Sequence, residues 1–236
     1  MTETPRIRVL AGGPYHPVAR QFATIAELLG DRAVVECRDG AAAFDDLDRC
    51  ELFVGGGLFW TGMDGLPDTS PPWPEGIDPT TYRPLDESRR RAFVDFVASG
   101  RPLLAWHGGT GSFDDWPEYG RLLGFRWAWG TTGHSAYAGW RVEVEPTGHP
   151  VVAGAGSFDV VDELYHDVEA TAGMETAVHA WAGYEGRRLP MVVTAEGGRV
   201  AGAGRTAFLA NGHDMRALEA GDFCRIVVNT IGWLLG

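Results

Sequence analysis

The sequence predicts an α/β fold, a doubly wound, mostly parallel sheet with helices on both faces. Short apolar runs at Arg6–Ala11, Leu52–Val54 and Pro102–Trp106 alternate with helix-period segments at about Pro17–Leu29 and Asp86–Ser99, the pattern of buried parallel strands joined by crossover helices. Glycine-rich turns punctuate the alternation, Gly12–Gly13–Pro14 after the first run and Gly55–Gly56–Gly57 after Leu52–Val54.

In chain order, Arg6–Ala11 reads as a short buried strand and Pro17–Leu29 as an amphipathic helix. Arg32–Cys37 reads as the second strand and Leu52–Val54 as the third. The Asp86–Ser99 helix leads into the strand Pro102–Trp106. The second half has more β character: Trp140–Glu145 and part of Met191–Glu196 alternate apolar and polar residues, and Arg205–Ala210 is a further strand. A helix over roughly Asp222–Leu235 follows. With no internal repeat and no linker, residues 1–236 are expected to form a single domain carrying a long loop insertion at about 55–85. That Gly-, Pro-, Asp- and Thr-rich segment reads as a binding loop or as a surface excursion, and Trp60 and Trp73 favour the first.

The bulk properties exclude several classes. The 44% hydrophobic and 22% charged fractions are ordinary for a globular chain able to bury one core. A net charge of −12 makes nucleic acid and anionic membrane poor partners. The basic run Arg89–Arg90–Arg91 is expected on the solvent face of a helix. Cys37, Cys50 and Cys224 have no close spacing, against a disulfide scaffold or a cysteine zinc site. No apolar run approaches a membrane span, and Met1–Arg8 lacks the apolar core of a signal peptide, so a reduced, cytoplasmic protein is expected.

The most informative stretch is Leu103–Phe113, LLAWHGGTGSF, an apolar strand running into a Gly-containing turn and then a helix rich in Trp, Tyr and Leu. This is the shape of a nucleophile elbow, which holds one residue exposed at a strand's carboxyl end. Class I glutamine amidotransferases present a cysteine there. Here the position holds His107 and no cysteine is near, so glutaminase chemistry through a thiolate is excluded. Ser112, past the apex, reads as a helix N-cap.

From His107 onward the chain resembles the trehalose-utilisation (ThuA-like) family, on a flavodoxin-like, class I glutamine amidotransferase-like superfold. The resemblance is carried in order by Trp116-Pro117-Glu118-Tyr119, Gly133-His134, Gly148-His149-Pro150-Val151, Asp162-Glu163-Leu164-Tyr165, Gly204-Arg205-Thr206-Ala207-Phe208 and Gly212-His213-Asp214. Tyr15-His16 matches the family's His after the first strand, whereas the 55–85 insertion and the helix before the elbow match nothing closely. The resemblance implies a role in the use of trehalose or a related disaccharide, with a small carbohydrate as ligand and a keto-sugar among the candidates.

Ligands of open α/β sheets bind at the carboxyl ends of the strands near the switch in strand order. His16, Gly56, His107 and His213 are expected on that edge, with Glu163 and Tyr165 reaching it from the intervening segment. His107, Glu163 and His213 are the catalytic candidates, as general acids or bases. His16, Gly56, Trp60, Trp106, His134 and Tyr165 are the substrate-binding candidates. Asp162 reads as a turn cap or as part of the site, and His149–Pro150 as a structural turn. Of nine tryptophans, Trp106, Trp116, Trp127 and Trp129 cluster around the elbow, where aromatic faces suit sugar rings or a buried core. No cofactor is predicted. The types of His107, His134, His213 and Glu163 suit zinc or another divalent ion, but their spacing matches no short ligand motif. Nothing resembles a dinucleotide or phosphate loop. An isomerase or lyase acting on a keto-sugar is therefore expected, the alternative being a non-catalytic carbohydrate-binding or regulatory module. A homo-oligomer is expected in either case.

Overall fold

The computed structural model describes residues 3–64, 66 and 81–236. Trp73 and about half of the 55–85 insertion lie outside the described residues. The first half runs β1 (Arg6–Ala11), α1 (Val18–Leu29), β2 (Val34–Asp39), β3 (Leu52–Gly55), α2 (Glu87–Ala98), β4 (Leu103–Trp106) and α3 (Glu118–Leu123). Then follow β5 (Phe125–Arg126), β6 (Gly133–His134), β7 (Ala138–Val144), β8 (Phe158–Asp162), β9 (Tyr165–His166) and β10 (Glu169–Ala170). β11 (Glu175–Tyr184), β12 (Arg187–Glu196), β13 (Thr206–Leu209) and α4 (Gly221–Leu235) complete the order.

Nine strands form one mixed sheet in the order β2-β1-β3-β4-β13-β12-β11-β7-β8. The β2-β1-β3-β4-β13 portion is parallel, and the remaining ladders are antiparallel. β3, β4 and β13 are buried along their whole length, as strands covered on both faces must be. α1 buries Val18, Gln21, Phe22, Ile25 and Leu29, a helix-period stripe, and packs beside α4. Trp106 meets Phe22 of α1 and Phe223 of α4 on this face. Phe53 pairs with Leu103 in register and so points to the opposite face, where it joins Phe44, Phe93 and Phe96.

α2 starts at Asp86, whose carboxylate accepts the Arg89 backbone N–H at 2.9 Å. The three arginines of its first turns are each ion-paired, Arg89 to Asp45 and Asp86, Arg90 to Asp115 and Arg91 to Glu87. Two local expectations change. The second strand starts at Val34, because Gly30–Arg32 forms a 3-10 turn in which Arg32 donates to the Leu28 and Leu29 carbonyls and caps α1. The elbow passes into a short 3-10 turn, His107–Gly111, before the six-residue α3. Ser112 is not a helix cap: its hydroxyl donates to Gly57 O at 2.5 Å and accepts from Phe59 N at 2.9 Å, pinning the Gly57–Phe59 loop to the elbow. No helix among the described residues is long and apolar enough to cross a membrane.

His179 occupies an irregularity between Val178 and Ala180 in the β11–β12 ladder. Its ring is bonded to Thr194 Oγ1 at 2.8 Å and Thr147 Oγ1 at 3.0 Å and stacks on His149. Burial, and then His149, lower its pKa from 6.5 to about 4. The unfolded chain therefore takes up the extra proton first, so this stabilisation is complete above the unfolded pKa and is lost as pH falls towards the folded one. Urea denaturation should show a loss of roughly 2 kcal/mol from this site across that window. His179→Gln should flatten the slope there, and an unchanged slope would assign the acid sensitivity elsewhere.

Candidate functional site

The chain steps from β1 to β2 on one side and then to β3 on the other, which opens a crevice at the carboxyl ends of the parallel strands. His16 follows β1, His107 ends β4 and His213 follows β13. The fold brings all three together: ring centroids lie 5.0 Å apart for His16–His107 and His16–His213, and 5.6 Å for His107–His213. One ring nitrogen of each lies within 4.8 Å of the other two.

His107 is fully buried with φ of +34°, a strained backbone for a side chain other than glycine. Its Nδ1 lies 2.6 Å from Ala210 O, and the Tyr165 ring lies against it at 4.1 Å. A carbonyl oxygen only accepts, so Nδ1 carries the proton and Nε2 keeps a lone pair, which is buried without a hydrogen-bond partner. Burial, and then His213, push the His107 pKa down to about 3. His16 is buried too, with its Nδ1 unpartnered. Burial followed by His107 and His213 lowers its pKa well below the usual value. Only glycine fits at position 108, since a Cβ there would stand 2.5 Å from His16 Cε1.

Glu163 links the remaining histidines. Its Oε2 lies 3.3 Å from His213 Nδ1, within ion-pair range but off the line of a hydrogen bond, and its Oε1 lies 3.5 Å from His134 Nδ1. Burial opposes a charge on His213, but Glu163, Asp162 and Asp214 outweigh it and raise the pKa. Burial likewise opposes the Glu163 carboxylate, and the contact with His213 wins, lowering it.

Two buried polar residues fix the loop that carries His213. The Asp162 carboxylate accepts backbone N–H groups of Glu163 at 2.8 Å, Gly212 at 2.7 Å and His213 at 3.1 Å. Burial pushes its pKa up to about 6 against the pull of these three donors. From the other side Gln21 donates to Gly212 O at 2.7 Å and Asp214 O at 2.9 Å, and accepts from Trp106 Nε1 at 3.2 Å. Tyr137 closes the set by donating to Asp214 Oδ2 at 2.9 Å.

Above the histidines is a cavity of about 510 Å³, walled by Tyr15, Trp60, Trp127, Trp129 and Tyr165. Trp60 stacks between Tyr15 and Trp129. Of the residues singled out in the sequence, His16, Trp60, His134, Glu163, Tyr165 and His213 line this cavity, and His107 packs against His16 and His213 at its floor. Trp106 does not: it is fully buried between α1 and α4, and its indole N–H supports Gln21. Gly56 does not either, because it abuts Val18 and Leu10 O, where a Cβ would stand 2.8 and 3.2 Å away. A larger surface groove of about 660 Å³ beside Arg121, Arg126 and Thr171 gathers no comparable set. Sequence reasoning passed over Gln21, although a polar residue on the apolar stripe of α1 was the available signal.

Residues 73–234 match the model of the ThuA family, described as trehalose utilisation. A ThuA-like protein from Parabacteroides merdae has a similar structure, with a TM-score of 0.70 at 18% identity over 99% of this chain and 90% of that one. A ThuA-like protein from Bacteroides uniformis gives 0.66 at 16%, over 99% and 93%. A glutamine amidotransferase from Thermotoga maritima gives 0.51 at 8%, over 99% of both chains, a likeness of fold alone. No curated protein matches the chain. With most of its length matched to that family and its sheet built like that of the class I glutamine amidotransferases, the chain belongs to the ThuA, or trehalose-utilisation, family.

Proposed function

We propose that the cleft binds a small carbohydrate and transfers a proton at the carbon α to a ketone, as in a 3-keto-sugar derived from trehalose or a related disaccharide. The observation that carries this reading is Glu163, a carboxylate set between His213 and His134 on the wall of an aromatic cavity and beside the histidine cluster. The aromatic wall suits the apolar faces of a sugar ring, and family membership supports the substrate class.

In this reading the ketone oxygen sits against the cluster and Glu163 takes the α proton. The C–H electron pair becomes the C=C bond of an enediolate, and the charge moves to the oxygen, where the histidine side of the cleft compensates it. Transfer of the neighbouring hydroxyl's proton to the former carbonyl oxygen, with protonation at the former carbonyl carbon, completes an isomerisation. In a 3-keto-glycoside the glycosidic oxygen at C1 is β to the ketone, so the same enediolate can expel it, an elimination in which the departing oxygen takes the bonding pair and then a proton.

Proton NMR of 3-keto-glucose in heavy water should show protein-dependent exchange beside the ketone. Glu163→Gln should slow it at least ~100-fold with affinity held within a few-fold. Absence of exchange with the parent protein, at unchanged sugar affinity, would replace catalysis by a carbohydrate-binding module. Calorimetry should show Trp60→Ala and Trp129→Ala each weakening sugar binding by about 1 kcal/mol, roughly fivefold. Unaltered affinity in both would place the sugar away from this wall.

A further inference from the structure

We propose that His16, His107 and His213 together hold one divalent transition-metal ion, with a coordination position open to the aromatic cavity. The proposal deepens the keto-sugar reading by naming the positive centre of that cleft, and it rests on the unpartnered ring nitrogens.

The three rings come from the segments that follow three parallel strands, so the sheet brings them to one edge, and Asp162 and Gln21 fix the loop of the third. One nitrogen of each is within 4.8 Å of the others. A tetrahedral ion with bonds of ~2.0–2.1 Å needs its nitrogens about 3.3 Å apart, so closure takes shifts on the order of an ångström. Two of the three rings already have an acceptor beside their outer nitrogen. His107 Nδ1 donates to Ala210 O, which turns the Nε2 lone pair inward, and His213 Nδ1 faces the Glu163 carboxylate. A carbonyl or carboxylate behind a ligating imidazole is the usual support of such a site, present here for His107 and His213.

The orphaned atoms agree. His107 Nε2 and His16 Nδ1 are buried with no hydrogen-bond partner. Buried polar atoms without partners are rare and call for an explanation. A proton satisfies one pair of facing nitrogens at most, whereas a cation accepts a lone pair from all three. An all-imidazole set suits zinc, copper, iron or nickel and not magnesium or calcium. Three protein ligands with one open position are the arrangement of catalytic zinc sites, where the ion polarises a carbonyl oxygen. The donor set differs from the sequence expectation: His16 enters it, His134 stands on the cavity rim, and Glu163 acts behind His213.

The test uses the full chain purified without chelator, stripped with EDTA and titrated with Zn²⁺ alone, then with Co²⁺ as a spectroscopic probe. Expected are one equivalent of Zn²⁺ and the intense visible bands of four-coordinate Co²⁺. His16→Gln, His107→Gln and His213→Gln should each weaken binding about 100-fold or more, while His166→Gln leaves it unchanged. A six-coordinate Co²⁺ spectrum in the parent protein, or Zn²⁺ binding unaltered in the folded cluster variants, overturns the site. Stoichiometric Zn²⁺ without exchange on 3-keto-glucose upholds the metal and removes the keto-sugar reading. Exchange by protein that binds no ion upholds that reading and removes the metal.

Discussion

The arrangement of the cleft depends on the buried carboxylate of Asp162. It accepts three backbone N–H groups, two of them from the Gly212–His213 loop and one from Glu163. A carboxylate taken out of water is costly, and it is tolerated where several donors converge on it. Such bonds contribute roughly 1.5–3 kcal/mol each, and losing the acceptor would strand the donors. β8 lies four places from β13 in the sheet. At about 4.8 Å per strand a flat sheet would separate them by roughly 19 Å, yet the end of β8 touches the loop that follows β13. The antiparallel half therefore curls over α4, whose Phe223 meets Phe158 of β8. Asp162 ties the curled edge back to the centre, and that closure sets Glu163 beside His213.

The cleft divides accordingly. The parallel half supplies His16, His107 and His213 from the segments after its strands, with Tyr15 and Trp60, and the later segments supply Glu163, His134, Tyr165, Trp127 and Trp129. The backbone at His107 has the strained, positive φ of a nucleophile elbow, +34°, with an imidazole at its apex. Strain of that kind costs on the order of 1–3 kcal/mol. It is offset by the bond to Ala210 O and the contact with Tyr165, both of which also orient the ring. A sheet shared with an amidotransferase at 8% identity carries the geometry, while the side chains at its edge decide the chemistry.

The parallel half was legible because its strands are buried on both faces and read as apolar runs between glycine turns. The antiparallel half was less so. β11 does not alternate cleanly and is interrupted at His179, and β8 alternates over five residues only. The convergence of three histidines followed from the rule that loops after parallel strands share one edge, which needs no side-chain detail. Trp106 was misplaced because alternation and register decide which face a strand residue takes, and adjacency to His107 in sequence puts it on the opposite one. Asp162 could not be separated from a turn cap, since its bond to Glu163 N is local and the two that tie it to the Gly212–His213 loop lie 50 and 51 residues on in the chain.

Under the proposed carbohydrate reading, the lining would also select among sugars. Among the described residues no Arg or Lys lines the cavity, and its one carboxylate is engaged with two histidines. Sugar phosphates are gripped through arginine, lysine or a helix N-terminus, and the overall charge of −12 repels anions further. Rings stacked along one side and acid–base groups on the floor suit instead a neutral ring, laid flat on the tryptophans with its polar edge towards Glu163 and the histidines. A keto-sugar from an unphosphorylated disaccharide, the substrate class proposed above, meets that description without an arginine or lysine to hold a phosphate.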